Sequence, residues 1–387
     1  MRAFLSGSGL SVAVVQFGSV IALLFLFSLP QDSHAGIAEY NAAASSGDYV
    51  AAARETAEAW ENYDKSRADA VAIVREFAFV NYLAGDFEEA AGLMDNLLDD
   101  DSELSSRDDQ PQVSRVLSDL IAINQESSVG NRNALFQSLQ ARLPEEVDNI
   151  SILAARALYL DDWTQGRLEE LESSSALALS FFERAGEEVL VDSRRAELLA
   201  AAAEFMRWRN VPSYDQFVDL HNAIVADVDR VEDDGTREAL ISLKWLADAW
   251  SQSAWTYLDN DNPQLGSHID RVKPRELAGS TKGYFYRVTT AADNPLPPCE
   301  TRLDWTVYYP PSAAYNQLIG TVIIKMDFDE DGRVEKHSLL ASVPADSFGK
   351  GAIDRVSSAR LRALRGQDTD KCTLAVKGYV VTINFRL

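Results

Sequence analysis

The sequence predicts a two-part chain: an α-helical body of repeat-like hairpins, followed by a small α+β domain. Three observations carry this. From Gly36 to about Leu258 the chain is Ala-rich, with apolar residues at helical spacing and few strand signals. Near the C-terminus, Val322, Ile324, Met326 and Phe328 alternate with Thr321, Ile323, Lys325 and Asp327, the period of a strand with one buried face. The charge changes sign over the same division: residues 1–270 carry 19 Lys+Arg against 47 Asp+Glu (−28), and residues 271–387 carry 17 against 13 (+4), giving −24 for the 387-residue chain. So acidic a body argues against a nucleic-acid partner and leaves the basic C-terminal part as the site for anionic contacts.

Residues 1–35 read as an export segment. Arg2 gives a thin positive start, Val20 to Leu29 is apolar apart from Ser28, and Ser33-His34-Ala35 offers the small residues of a cleavage site. The alternative is a membrane anchor, because Leu10 to Pro30 reaches the roughly 20 residues that span a bilayer. Either reading places the rest of the chain outside the cytoplasm.

Residues 36–270 form the helical domain, and they repeat. Gly47-Asp48-Tyr49 and Gly85-Asp86-Phe87 stand 38 residues apart, with Asp161-Asp162-Trp163 as a third, slipped copy. Tyr49, Ala53, Thr56 and Trp60 match Phe87, Ala91, Met94 and Leu98, each set stepping i, i+4, i+7, i+11 along one helix face. A helix such as Arg67 to Leu83 ends at the Gly-Asp pair and the next begins at the aromatic. Such units bury their stripes by stacking on neighbours. The spelling resembles tetratricopeptide repeats, whose period is about 34; an irregular helical bundle is the alternative. The acidic run from Asp99 to Asp109 reads as a solvated connection, and Thr236 to Leu258 as one long helix.

Residues 271–298 form a linker punctuated by Lys-Pro and Asn-Pro-Leu-Pro-Pro. Within it Tyr284, Tyr286 and Val288 alternate as in a short strand. Residues 299–387 are the C-terminal domain. Gly320 to Phe328, the turn Asp329-Glu330-Asp331-Gly332 and Arg333 to Leu340 read as a hairpin. Asp346 to Leu364 reads as a helix with Ala352, Val356 and Ala359 turned to the sheet, which leaves Lys350, Arg355, Arg360 and Arg362, with Arg365 beyond, as a surface for an anionic partner. Gly378 to Leu387 reads as the last strand.

These residues resemble the C-terminal domain of the TonB family. Gly320 to Val334 spells G-x-V-x-I-x-M-x-F-D-x-D-G-x-V, the family's first hairpin. Tyr309-Pro310-Pro311-Ser312-Ala313 fits its Y-P-x-x-A, and Pro344-Ala345-Asp346-Ser347-Phe348 its P-A-x-x-F. The likeness covers roughly the last eighty residues. It departs at Ala359-Arg360-Leu361-Arg362-Ala363, where the family has an aromatic and a proline, and no Pro-rich spacer is present. The resemblance implies a strand-strand-helix-strand fold that docks to outer-membrane receptors in energy-dependent transport. It also implies that Gly378, Tyr379, Val380, Val381, Thr382, Ile383 and Asn384 pair with an extended partner peptide as an edge strand.

Cys299 and Cys372 are the only cysteines. In an oxidising compartment an even pair reads as a disulfide, against two separate buried thiols. Asp327 to Gly332 opens like a calcium loop, but Ser338 stands where a bidentate Glu belongs, so a plain hairpin turn is the simpler reading. His34, His221, His268 and His337 lack metal-ligand spacing, and no nucleophile–base set or nucleotide-binding fingerprint appears. The expectation is a non-enzymatic, exported envelope protein without cofactor or metal that binds proteins through both parts, with cell-wall contact open. A soluble periplasmic scaffold that does not drive transport is the alternative.

Overall fold

The computed structural model describes residues 37–261, 280–282, 286–290, 299–364 and 373–385, apart from residues 100, 145, 146, 209, 210, 316, 317 and 345. The export segment, Arg365, Cys372 and most of the linker lie outside the described residues. The described chain falls into two compact units. One takes residues up to 162 together with 173–193; the other takes 163–172 and the residues from 194 onward.

The first unit is built of α1 (Ile37–Ser45), α2 (Tyr49–Asn62), α3 (Ala70–Ala84), α4 (Phe87–Leu98), the short α5 (Glu103–Ser106), α6 (Pro111–Gln125), α7 (Val129–Arg142) and most of α8 (Asn149–Gln165) and α9 (Leu168–Ala185). Each of α1 to α4 packs on the next, then α4 on α6 and α6 on α7, as expected of stacked hairpins. The repeated Gly-Asp pair is a capping device. Gly85 takes the left-handed conformation at φ 83° to end α3, and the Asp86 carboxylate accepts the Glu89 N–H at 3.2 Å to start α4. Gly47 and Asp48 do the same between α1 and α2.

The third copy of that repeat is a correction. Asp161, Asp162 and Trp163 lie inside α8, and the break comes at Gly166-Arg167. No glycine stands from 161 to 163, and the helix runs on to Gly166, which takes the left-handed conformation at φ 68°. The acidic connection is not wholly solvated either. The Asp108 side chain is buried and paired with buried Arg75 at 2.6 Å, and Ser114 and Gln110 take further guanidinium hydrogens. Four polar groups satisfied together fix α3 to the start of α6.

The second unit holds α10 (Leu190–Trp208) from residue 194 on, α11 (Val211–Arg230), α12 (Asp234–Asp261) and the C-terminal domain. The expected long helix is α12, and it packs on α11. The domain comprises β1 (Ser280–Lys282), β2 (Tyr286–Thr290), β3 (Thr301–Asp304), α13 (Pro311–Tyr315), β4 (Gly320–Phe328), β5 (Val334–Val343), α14 (Asp346–Ile353), β6 (Arg360–Ala363) and β7 (Val376–Phe385). Five strands form one antiparallel sheet in the order β1-β2-β7-β4-β5, and β3 pairs with β6 in a second.

The expected α+β domain is therefore present, with two corrections. The helix foreseen over Asp346 to Leu364 stops at Ile353. A single 3-10 turn, Val356–Ser358, follows, and Arg360–Ala363 is drawn into β6 by pairing with Thr301–Asp304. Nor does β4 bury only one face. Val322, Ile324, Met326 and Phe328 join Phe348, Ala352, Val356 and Leu361 in the core. Thr321 and Ile323 on the other face are also fully buried, because α12 packs across β4, β5 and β7 there.

The first unit should respond to pH through Glu76. Burial lifts its carboxyl from 4.5 to about 7, partly offset by the Tyr40 hydroxyl donating to Oε1 at 2.8 Å. Between those values the folded state holds the extra proton, so stability falls as pH rises from 4.5 to 7 and stays lower above it. At about 1.4 kcal/mol per unit the loss is on the order of 3 kcal/mol. Glu76→Gln should therefore raise the melting temperature at pH 8 and leave it little changed at pH 4.5; equal shifts at both would contradict the assignment.

Candidate functional site

The last strand organises the C-terminal domain. On one side of β7, Gly320 to Ile324 of β4 oppose Phe385 to Val381 in unbroken antiparallel register. Side chains alternate across the pleat. Tyr379, Val381, Ile383 and Phe385 enter the core with α14, while Thr382 and Asn384 turn to α12. On that second face the Thr321 hydroxyl donates to Asn384 Oδ1 at 2.8 Å, and Asn384 Nδ2 reaches Gln252 Oε1 of α12 at 3.5 Å. Both asparagine groups are used, as a buried amide requires.

The edge expected at Gly378 to Asn384 is covered over Val381 to Asn384. The second side of β7 is paired with β2: Tyr286 opposes Phe385, Val288 opposes Ile383 and Thr290 opposes Val381. The alternation at Tyr284, Tyr286 and Val288 held the signal for this strand; what no local pattern could show was its place beside β7. The outer edges of the sheet are β1 and β5.

The other motif residues are structural. The Tyr309 ring lies 6.0 Å from Phe348 and 5.6 Å from Phe385, its hydroxyl donates to the Leu318 carbonyl, and burial pushes its pKa up to about 12. Gly320 has the Phe348 ring and the Val343 carbonyl where a Cβ would sit. Asp329 Oδ1 accepts the N–H groups of Asp331 and Arg333, and the Asp327 carboxylate accepts the Gly378 N–H at 2.8 Å. These carboxylates shape a turn. Among the described residues no cluster of three or more His, Cys, Asp or Glu side chains could hold a metal ion.

Residues 306–387 match the family model for the Gram-negative bacterial TonB protein C-terminal. The match covers β4 to β7 and the segments between them. The chain matches no curated protein. A TonB C-terminal domain is a non-enzymatic, periplasmic protein-interaction module of the Gram-negative envelope. Strands β1, β2 and β3 lie before the matched span, so the strand that covers β7 is supplied from outside the TonB-like domain proper. Among the described residues no helix is long and apolar enough to cross a membrane.

The basic residues are divided. Lys350 stands exposed on α14, and Arg365 lies outside the described residues. Arg355, Arg360 and Arg362 line one groove with Asp304, Trp305 and Tyr308. Asp304 and Tyr308 were not foreseen, because β3 reaches β6 only through long-range pairing.

Cys299 is buried and disulfide-bonded, and its expected partner, Cys372, lies outside the described residues. Non-reducing peptide mapping of the exported protein should recover Cys299 joined to Cys372; alkylation of both without reductant would refute the pairing. Asn384→Ala leaves the Thr321 hydroxyl and Gln252 amide without their buried partner. It should lower stability by about 1–3 kcal/mol in chemical denaturation, whereas a solvent-facing asparagine would give nearly none.

Proposed function

We propose that this chain is an exported envelope protein that docks an extended segment of a protein partner onto β7 by strand exchange, the incoming segment taking the place of β2. The β2–β7 ladder carries this reading. Five residues of this chain, Tyr286–Thr290, already add to that edge of β7 by main-chain pairing. An edge that accepts one extended strand offers the same donors and acceptors to another, because the ladder is made by backbone groups.

The family match favours an outer-membrane receptor as the source of the segment, with energy-dependent transport as the purpose. A specific observation favours a second reading. Ser11 to Leu29 contains no His or acidic residue able to couple to a proton-driven motor. On that reading the chain is a periplasmic scaffold that uses its stacked helices and its TonB-like domain as binding modules, without energy transduction.

Exchange can be tested with a peptide spelling Gly283 to Thr290 and a variant lacking residues 280–290. The folded variant should bind the peptide, detected by fluorescence anisotropy and by amide shifts along β7. The intact chain should bind it at least ~10-fold more weakly, because its own strand competes at a high effective concentration. A folded variant that takes up no peptide would sink the reading.

A further inference from the structure

The small β3–β6 ladder has two chemically distinct faces. Its register sets Arg302 opposite Arg362, Leu303 opposite Leu361 and Asp304 opposite Arg360. Directly opposed residues in an antiparallel pair share a face. Leu303 and Leu361 are buried in the core, so Arg302, Arg362, Asp304 and Arg360 all lie on the outer side. A further bridge sets Arg333 opposite Arg360, which adds a fourth arginine to that side. The fifth, Arg355, borders it: its guanidinium lies 4.4 Å over the exposed Tyr308 ring.

Two of these contacts oppose like charges directly, Arg302 with Arg362 and Arg333 with Arg360, an arrangement that disfavours the ladder itself. Among the described residues, Asp304 is the one carboxylate ion-paired with any of the five arginines. Asp304 pairs with Arg362 at 2.9 Å, and among the described residues Arg302, Arg333, Arg355 and Arg360 form no ion pair. The groove beside them, about 250 Å³, is held in shape from beneath. The Trp305 indole and the Ser358 hydroxyl both donate to the Arg355 carbonyl, at 3.0 and 2.7 Å.

We propose that this outer face is a docking surface for a carboxylate-rich peptide segment of a protein partner. Arginine forks suit carboxylates because two N–H donors meet two oxygens. Spacing decides between ligands. The arginines are set out over three neighbouring segments about 4.8 Å apart, so their guanidinium groups stand at separate positions; Arg360 Nη1 also donates to the Ser357 and Ala359 carbonyls of its own segment. A phosphate calls for donors converging on one point. An acidic segment brings one carboxylate to each fork, and Tyr308 supplies an apolar margin. This surface is separate from β7, so it stands or falls independently of strand exchange.

The probe is a fluorescein-labelled hexaglutamate peptide, titrated into the full chain at low and high salt. Binding should weaken as salt rises. Arg355→Gln with Arg360→Gln should weaken it roughly tenfold for each charge-assisted pair lost. Asp304→Asn should strengthen it, and that opposite response separates a docking surface from a merely destabilised ladder. Circular dichroism confirms that each variant folds. Absence of hexaglutamate binding, or binding that ignores all three substitutions, would overturn the proposal. So would arginine-dependent binding of inorganic phosphate, or of phosphatidylglycerol vesicles, in place of the peptide.

Discussion

The C-terminal domain depends on the enclosure of β7. Its backbone is paired on both sides, by β4 and by β2, and both of its faces are covered. The apolar face meets α14, and the face with Thr382 and Asn384 meets α12. Over Val381 to Phe385 a partner therefore meets β7 only by displacing β2. The polar chain from Thr321 through Asn384 to Gln252 ties the sheet to a helix that precedes the family-matched residues. The domain boundary visible in charge and proline content is thus not a boundary in packing: the second compact unit runs through it.

The two proposed surfaces draw on different physics. On β7 the contacts would be main-chain hydrogen bonds, which reward an extended conformation and read little sequence. On the β3–β6 face they would be arginine forks, which read charge and speed encounter more than they deepen affinity. A partner with an extended stretch and an acidic stretch could use both, the second raising the effective concentration of the first. The acidic body has the sign to repel such a partner, which makes the local reversal of charge on the β3–β6 face the more pronounced.

What could be read in the sequence was local. The hairpin of β4 and β5 was legible because alternation and an Asp-Gly turn sit together. Gly332 bears this out: at φ 69° it lies so close to the Leu361 carbonyl that no side chain would fit. The Gly-Asp caps at Gly47 and Gly85 were legible for the same reason. What was missed depends on partners distant in the chain. Arg360 to Ala363 reads as helix until Thr301 to Asp304 pairs with it. Asp108 reads as solvated until Arg75, 33 residues earlier, reaches it. Thr382 and Asn384 read as an outward face until α12 covers them. Periodicity reports that a residue has a face; it does not report what lies against it.

The strength of the cover on β7 sets what kind of partner could displace it. Among the described residues β2 contributes five and is backed on its far side by the three of β1, and a two-stranded hairpin of that size has little stability of its own. Its hold on β7 comes from tethering, because the linker keeps it nearby at high local concentration. The β4–β7 ladder is longer and shares the hydrophobic core, so it stays in place when β2 leaves. A partner segment that spans only Val381 to Phe385 must therefore overcome a tethered competitor of equal length. A segment that forms the same five pairs prevails only where its own local concentration exceeds that of the tethered strand.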